Sequence, residues 1–274
     1  MNTSNFERCV LAVPNQKGGV GKTTTTVNLA QALSVRLPDK RILVIDDDPQ
    51  GNATQSCGIP LESIKYSLSD LIRNRALSEE SAIYRGESLD LVPATHALAN
   101  LEREMVSMTN SELRLAQRVR KLTHQYPVIL IDTPPSFGPL MNSALNAATH
   151  VIIPVDSGIF ALHGIKSLLG EFDEIRNGTN PDLDVLGYLL TFADGTNISQ
   201  DILEALKKDF GNRVFQTLIR RSVKLKEAPV FGRTIFHHAP ESAGAKDYLS
   251  LADEVLKRLN FTSAPINQEV SYEQ

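Results

Sequence analysis

The feature that most constrains this chain is a glycine-rich loop between an apolar run and a helical segment. Residues 10–14 read as a strand buried on both faces, and residues 24–37 have helical period. Between them lies Asn15-Gln16-Lys17-Gly18-Gly19-Val20-Gly21-Lys22-Thr23-Thr24. Glycines let backbone N–H groups approach phosphate oxygens without a Cβ in the way, and the N-terminus of the following helix adds partial positive charge. A lysine at position 22 can reach β- and γ-phosphates, and the Thr23 hydroxyl can ligate Mg2+. With glycine at about 7% of residues, this combination in this context rarely arises by chance. The loop Lys17, Gly18, Gly19, Val20, Gly21, Lys22, Thr23, Thr24 therefore predicts a site for ATP and Mg2+.

Further apolar runs at 42–45, 89–93, 128–131, 151–155 and 185–192 read as doubly buried strands. Helical periods lie between most of them, at 111–125, 141–148, 162–176 and 198–210, with a last helix at about 243–259. The alternation predicts an α/β fold: one mostly parallel, twisted sheet flanked by helices on both faces. The expected layout is a short polar arm at 1–8, one ATPase domain at 9–260 and a polar tail at 261–274. In an open sheet of this kind the site sits at the carboxyl ends of the strands. Two strands end in acids there: 42–45 runs into Asp46-Asp47-Asp48-Pro49-Gln50, and 128–131 into Asp132-Thr133-Pro134-Pro135. A hard cation takes carboxylate oxygen, which makes Asp132 a candidate for the Mg2+ shell.

Composition excludes several classes. Cys9 and Cys57 are the only cysteines and form no C-x-x-C, so neither a disulfide framework nor a zinc site is expected. No apolar run approaches the ~18 residues of a spanning helix, and the polar start is no signal peptide; the expected location is the cytoplasm. Charge is segregated. Residues 201–240 hold eight Lys/Arg against four Asp/Glu, a local +4 in a chain of net charge −4, which leaves −8 elsewhere.

The loop, with Gln16 where the usual first glycine stands and an extra lysine at Lys17, is of the deviant kind. Together with Asp46-x-Asp48-Pro49-Gln50-Gly51-Asn52 and Asp132-x-Pro134-Pro135 it resembles the ParA/Soj chromosome and plasmid partition ATPases. Ala161-Leu162-His163-Gly164, the stretch Val223-Lys224-Leu225-Lys226-Glu227-Ala228-Pro229, and Gly244-Ala245 extend the likeness over residues 10–259. The resemblance implies an ATP-dependent homodimer with two nucleotides between the subunits. Lys17 would reach the partner's phosphates while Lys22 and Thr23 serve their own; Asp48 would orient the attacking water, and Asp46 and Asp132 would hold the Mg2+ shell. It further implies sequence-independent binding of nucleoid DNA through Arg221, Lys224, Lys226 and Arg233, and a ParB-type or other adaptor that stimulates slow hydrolysis. Clustered positive charge suffices for phosphate contact.

Some positions depart from the family pattern. Arg220 and Ser222 stand where Pro and Asn are common, in a loop expected near the adenine; Thr196 stands where an Arg is frequent; residues 154–160 lack the usual Gln and Glu; and His163 replaces a Glu. A MinD-like membrane-positioning ATPase would need a basic amphipathic C-terminal helix, yet residues 261–274 contain no Lys or Arg and two Glu. An orphan ParA-like protein that positions another cargo remains the nearer alternative. A superfamily iron–sulfur reductase would need clustered cysteines, and an operator-binding form a further N-terminal domain, for which the 14 residues before Asn15 leave no room.

Overall fold

A computed structural model describes residues 9–158 and 161–261, with the backbone alone at 161–163. The arm 1–8, the tail from residue 262, Ile159, Phe160 and the side chain of His163 lie outside the described residues.

Among the described residues eight strands form one sheet: β1 (Cys9–Val13), β2 (Ile42–Asp46), β3 (Tyr84–Arg85), β4 (Leu89–Val92), β5 (Val128–Asp132), β6 (His150–Asp156), β7 (Asp184–Ala193) and β8 (Ile219–Arg220). Their spatial order is β3-β4-β2-β5-β1-β6-β7-β8, parallel throughout except for the β3–β4 pair. The doubly apolar runs explain this arrangement, because every residue of β1, β2 and β5 is buried. Alternate side chains of one strand enter opposite layers. Val10 and Ala12 join the layer of α3 (Leu68–Arg73), α4 (Ala97–Met105), α5 (Arg114–Leu122), α6 (Pro139–Ala147), α7 (Ala161–Asn177) and α8 (Asn197–Phe210). Cys9 and Leu11 join that of α1 (Lys22–Arg36), α2 (Asn52–Ser56), α9 (Val223–Glu227), α10 (Ile235–His238) and α11 (Ala243–Arg258). Each large aliphatic side chain so buried contributes about 1.5–3 kcal/mol.

Register decides where the chemistry sits. Val13 lies beside Asp132, and Asp132 beside Asp46, so the glycine loop and both acidic strand ends emerge at one edge of the sheet. The apolar runs at 42–45 and 128–131 thus extend by one residue into the ladder, ending on the acids themselves.

Some elements differ from the sequence reading or are absent from it. The helix expected at 111–125 begins as a 3-10 turn, Ser111–Leu113, after Asn110 in the left-handed conformation, and its α-helical part stops at Leu122. Gln125 and Tyr126 N–H groups both donate back to the Leu122 carbonyl, and the buried Tyr126 hydroxyl donates to Asp90, 2.6 Å away. Helices α3 and α4 were readable from Leu68, Leu71 and Ile72 and from Leu98, Leu101 and Met105, all at helical spacing and all buried. The two-residue edge strands β3 and β8 carry no period to read. Among the described residues no helix is long and apolar enough to cross a membrane.

Candidate nucleotide site

The glycine loop is fixed from both sides before any ligand is considered. The Asn15 side chain donates to the Pro154 carbonyl at the end of β6, 2.7 Å away, and accepts from the Lys17 N–H at 2.9 Å. Gly21 precedes α1 at φ 88°, a left-handed position that disfavours side chains. A Cβ there would stand 3.4 Å from the Phe192 ring. The Thr191 hydroxyl, 2.9 Å from the Val20 carbonyl and donating to it, ties the crown of the loop to β7.

Lys22 opens α1 with only 7% of its surface exposed, and its ammonium donates back to the Lys17 carbonyl at 3.2 Å. Burial pushes its pKa down, with the charges of Asp132 and Asp48 opposing that shift. The Thr23 hydroxyl donates to Asp132 Oδ2 at 2.7 Å, and the Thr26 hydroxyl lies 3.2 Å from Oδ1. Asp132 is wholly buried, and burial together with the nearby Asp46 pushes its pKa up to about 8. Asp48 lines the cleft; its Oδ1 accepts from the Gln50 N–H at 2.9 Å, and its Oδ2 makes no hydrogen bond among the described residues. Burial raises its pKa, while the backbone bond and Lys22 oppose the rise.

The cleft lined by Lys22, Thr23 and Asp48 has a volume of about 420 Å3, and Gln55, Phe192 and Pro229 line it as well. Its donors and hydroxyl fit Mg-ATP: a backbone cradle open at Gly18, a buried cation and a threonine hydroxyl held by a carboxylate. Lys22 and Thr23 would hold phosphates and Mg2+, with Asp132 behind Thr23.

Of the four strand-end acids only Asp48 lines the cleft; Asp132 lies behind Thr23, and Asp46 and Asp47 do not reach it. Asp46 is fully buried and is not among the lining residues; its Oδ2 accepts from both the N–H and the hydroxyl of Thr54, each at 2.7 Å. It ties β2 to α2, and burial lifts its pKa to about 6. Asp47, to which the sequence reading gave no role, is fully buried with neither carboxylate oxygen hydrogen-bonded. Burial and the surrounding Asp46, Glu102, Asp48 and Asp132 push its pKa well above the usual range. Phe192 was also missed: it sits at φ 54°, strained for an aromatic residue, with its ring against Gly21. Nothing in its local sequence marks that conformation.

Lys17 lies apart from the buried groups. Its side chain is 47% exposed, and its ammonium is 2.6 Å from Asp156 Oδ2. The basic residues late in the chain are exposed and differ in their pairing. Arg221 stands 4.0 Å from Asp194, and Lys224 is 2.9 Å from Glu227. Lys226 and Arg233 are exposed and make no ion pair among the described residues. Arg220 turns to α11 instead and grips Asp247, with Nη2 2.6 Å from Oδ1 and Nε 3.1 Å from both oxygens. Thr196 caps α8, its hydroxyl accepting from the Ser199 N–H.

Comparison with known proteins agrees with this geometry. A family model described as an AAA domain matches residues 8–185. The sporulation initiation inhibitor protein Soj of Bacillus subtilis is 41% identical over 248 residues, covering 90% of this chain and 97% of the relative. The chromosome-partitioning ATPase Soj of Thermus thermophilus is 43% identical over 250 residues, covering 91% and 96%. Among solved structures, cobyrinic acid a,c-diamide synthase from Mycobacterium smegmatis, with bound ATP analog and magnesium, superposes with a TM-score of 0.80. That match is 32% identical and covers 93% of this chain and 96% of that one. A shared fold of this kind hosts more than one chemistry, so the sequence relatives decide the branch: the chain belongs to the Soj/ParA family of P-loop partition ATPases.

Proposed function

We propose that this chain is an ATP-dependent, dimerising partition ATPase of the cytoplasm. It binds nucleoid DNA without sequence preference and positions chromosome, plasmid or other cargo, with a ParB-type or other adaptor stimulating slow hydrolysis. The observation that carries the reading is the convergence of Lys22, Thr23 and Asp48 on one cleft behind the glycine loop. The partition activity named for the Thermus relative supports the cargo class.

In this reading Lys22 holds the β- and γ-phosphates, and its burial strengthens the attraction by excluding water. Thr23 would offer its oxygen to Mg2+ while its hydroxyl hydrogen stays directed at Asp132. Bound Mg2+ would neutralise charge on the phosphates. Asp46 acts through Thr54, fixing the segment that carries Asp48. Asp48, with one oxygen tied to Gln50 and the other free of hydrogen bonds, orients the attacking water. Lys17 leaves Asp156 and reaches the partner's phosphates across the dimer.

Two variants separate these roles. Lys17→Ala should bind nucleotide yet dimerise poorly in light scattering with ATP. Asp48→Ala should bind ATP and dimerise but hydrolyse on the order of 100-fold more slowly, since removing a group used only in the transition state spares ground-state binding. A Lys17→Ala protein that dimerises like the parent would return Lys17 to a plain surface ion pair with Asp156.

A further inference from the structure

Two glycines far apart in sequence bring two segments into backbone contact. Gly58 has φ 73° and Gly232 φ 61°. A Cβ on Gly58 would lie 2.6 Å from the Gly232 carbonyl oxygen, and one on Gly232 would lie 2.8 Å from the Gly58 Cα. Neither position has room for a side chain, and neither backbone conformation favours one.

Each glycine belongs to a segment that lines the nucleotide cleft. On one side, Asp48, Gln50, Asn52, Gln55 and Ser56 line it. That segment is stiff, since Thr54 is held by Asp46 and its hydroxyl accepts from the Ala94 N–H at 3.0 Å. On the other side, Pro229 lines the cleft from the 3-10 turn Ala228–Phe231, which joins α9 and its Lys224 and Lys226 to Gly232 and Arg233. Beyond Gly232 the chain is gripped again: the Ile235 N–H donates to Asn28 Oδ1 at 2.8 Å, and Asn28 Nδ2 donates to the Thr24 carbonyl at 2.8 Å. The second grip therefore ends at Thr24, which lines the cleft, and the first at Gly58, two residues beyond the lining residue Ser56. On the outward side of the turn Val230 and Phe231 are exposed, with the Phe231 ring stacked on His238 at 5.3 Å between centroids.

We propose that the Gly58–Gly232 contact is a positioning link through which an occupied nucleotide cleft sets the placement of residues 223–233. Backbone in direct contact leaves no side chain to absorb a displacement of residues 48–58. The turn has Val230 and Phe231 in solvent, whereas residues 52–56 are held by Asp46 and by the Ala94 N–H, so the turn is the side that yields. The consequence for DNA rests on the function proposed above; the link itself does not.

Hydrogen exchange tests the link without DNA. In the full chain, a slowly hydrolysed Mg-ATP analogue should change exchange over residues 48–56 and also over 223–233. In Gly58→Ala the first response should persist and the second disappear, with nucleotide affinity retained. Gly232→Ala, the same contact approached from its other side, should behave alike and serves if Gly58→Ala does not fold. An absent response at 223–233 in the parent, or an undiminished one in either variant, overturns the link. Duplex titrations add a second reading. Nucleotide and DNA should raise each other's affinity by one common factor, about 5–150 for ordinary coupling. In Gly58→Ala that factor should fall toward one while each ligand alone still binds, a pattern that lost structural support alone does not produce. A parent that binds no duplex would sink the DNA reading, and the exchange result would still judge the link.

Discussion

The cations of the glycine loop and those of the late basic segment carry the same charge and are held in opposite ways. Lys22 is buried, its ammonium within reach of a backbone carbonyl and of the fields of Asp48 and Asp132. Arg221, Lys224, Lys226 and Arg233 stand in solvent, the first two beside Asp194 and Glu227 and the last two in no ion pair among the described residues. In water-excluded surroundings one charge is worth several kcal/mol and its geometry matters; at the surface it is screened and counts by number. The first region therefore suits recognition of one phosphate chain in one pose. The second suits a repeating polyanion that need not be read base by base.

Lys22→Ala is the strongest way to break the contrast. Loss of the buried charge-assisted contact should weaken ATP binding on the order of 100-fold or more, which corresponds to about 3 kcal/mol. Helix α1 should persist, because its packing on α11 lies elsewhere, so circular dichroism should match the parent while calorimetric ATP titration fails. Normal affinity would remove Lys22 from its role.

Reversing exposed charges should act by number. Arg221→Glu with Lys224→Glu should weaken duplex binding on the order of 10–100-fold near physiological salt while ATP-dependent dimerisation stays intact. Each reversal appears twice in a dimer, and each phosphate contributes about −0.9 to the log–log salt slope, so the slope should shrink by about 3–4. Affinity and slope equal to the parent's would make the segment a solvated face.

The smallest expected effect is a gain. Asp47→Leu removes a buried carboxyl group with no hydrogen-bond partner and should stabilise the fold by about 1–3 kcal/mol, seen as a rise of about 2–4 °C per kcal/mol in a chain of this size. The sign with pH follows from the raised pKa of Asp47. Above the ordinary carboxylate range the unfolded chain has lost this proton and the folded one keeps it, so the parent loses stability as pH rises. The variant's advantage should therefore grow from mildly acidic to mildly alkaline pH. Thermal melts at both ends would check it, and a destabilised variant would mean the site prefers a polar group.

Local signals make much of this molecule legible from the sequence. The doubly apolar runs, the glycines after the first strand and the acids after two others each act within a few residues, so β1, β2, β5 and the loop at Lys17–Thr24 could be read directly. What the chain does with the acids at Asp46 and Asp47 could not, because the sequence places three identical side chains in a row. Strand alternation and register then send Asp46 to Thr54, Asp47 into a buried space without partners, and Asp48 to the cleft. The pairs that redirect the cations are remoter still. Lys17 meets Asp156 across 139 positions through the crossovers of the parallel sheet, and Arg220 meets Asp247 across 27 because α11 packs beside β8. The same holds for Gly58 and Gly232, whose need for glycine comes from each other's backbone. Sequence by itself determined the buried central strands, the phosphate loop and the residue types available at the site, since period and propensity are local. Only the tertiary structure decided which carboxylates face the cleft, which cations are already held and which segments touch, because those depend on contacts that a parallel topology makes between distant parts of the chain.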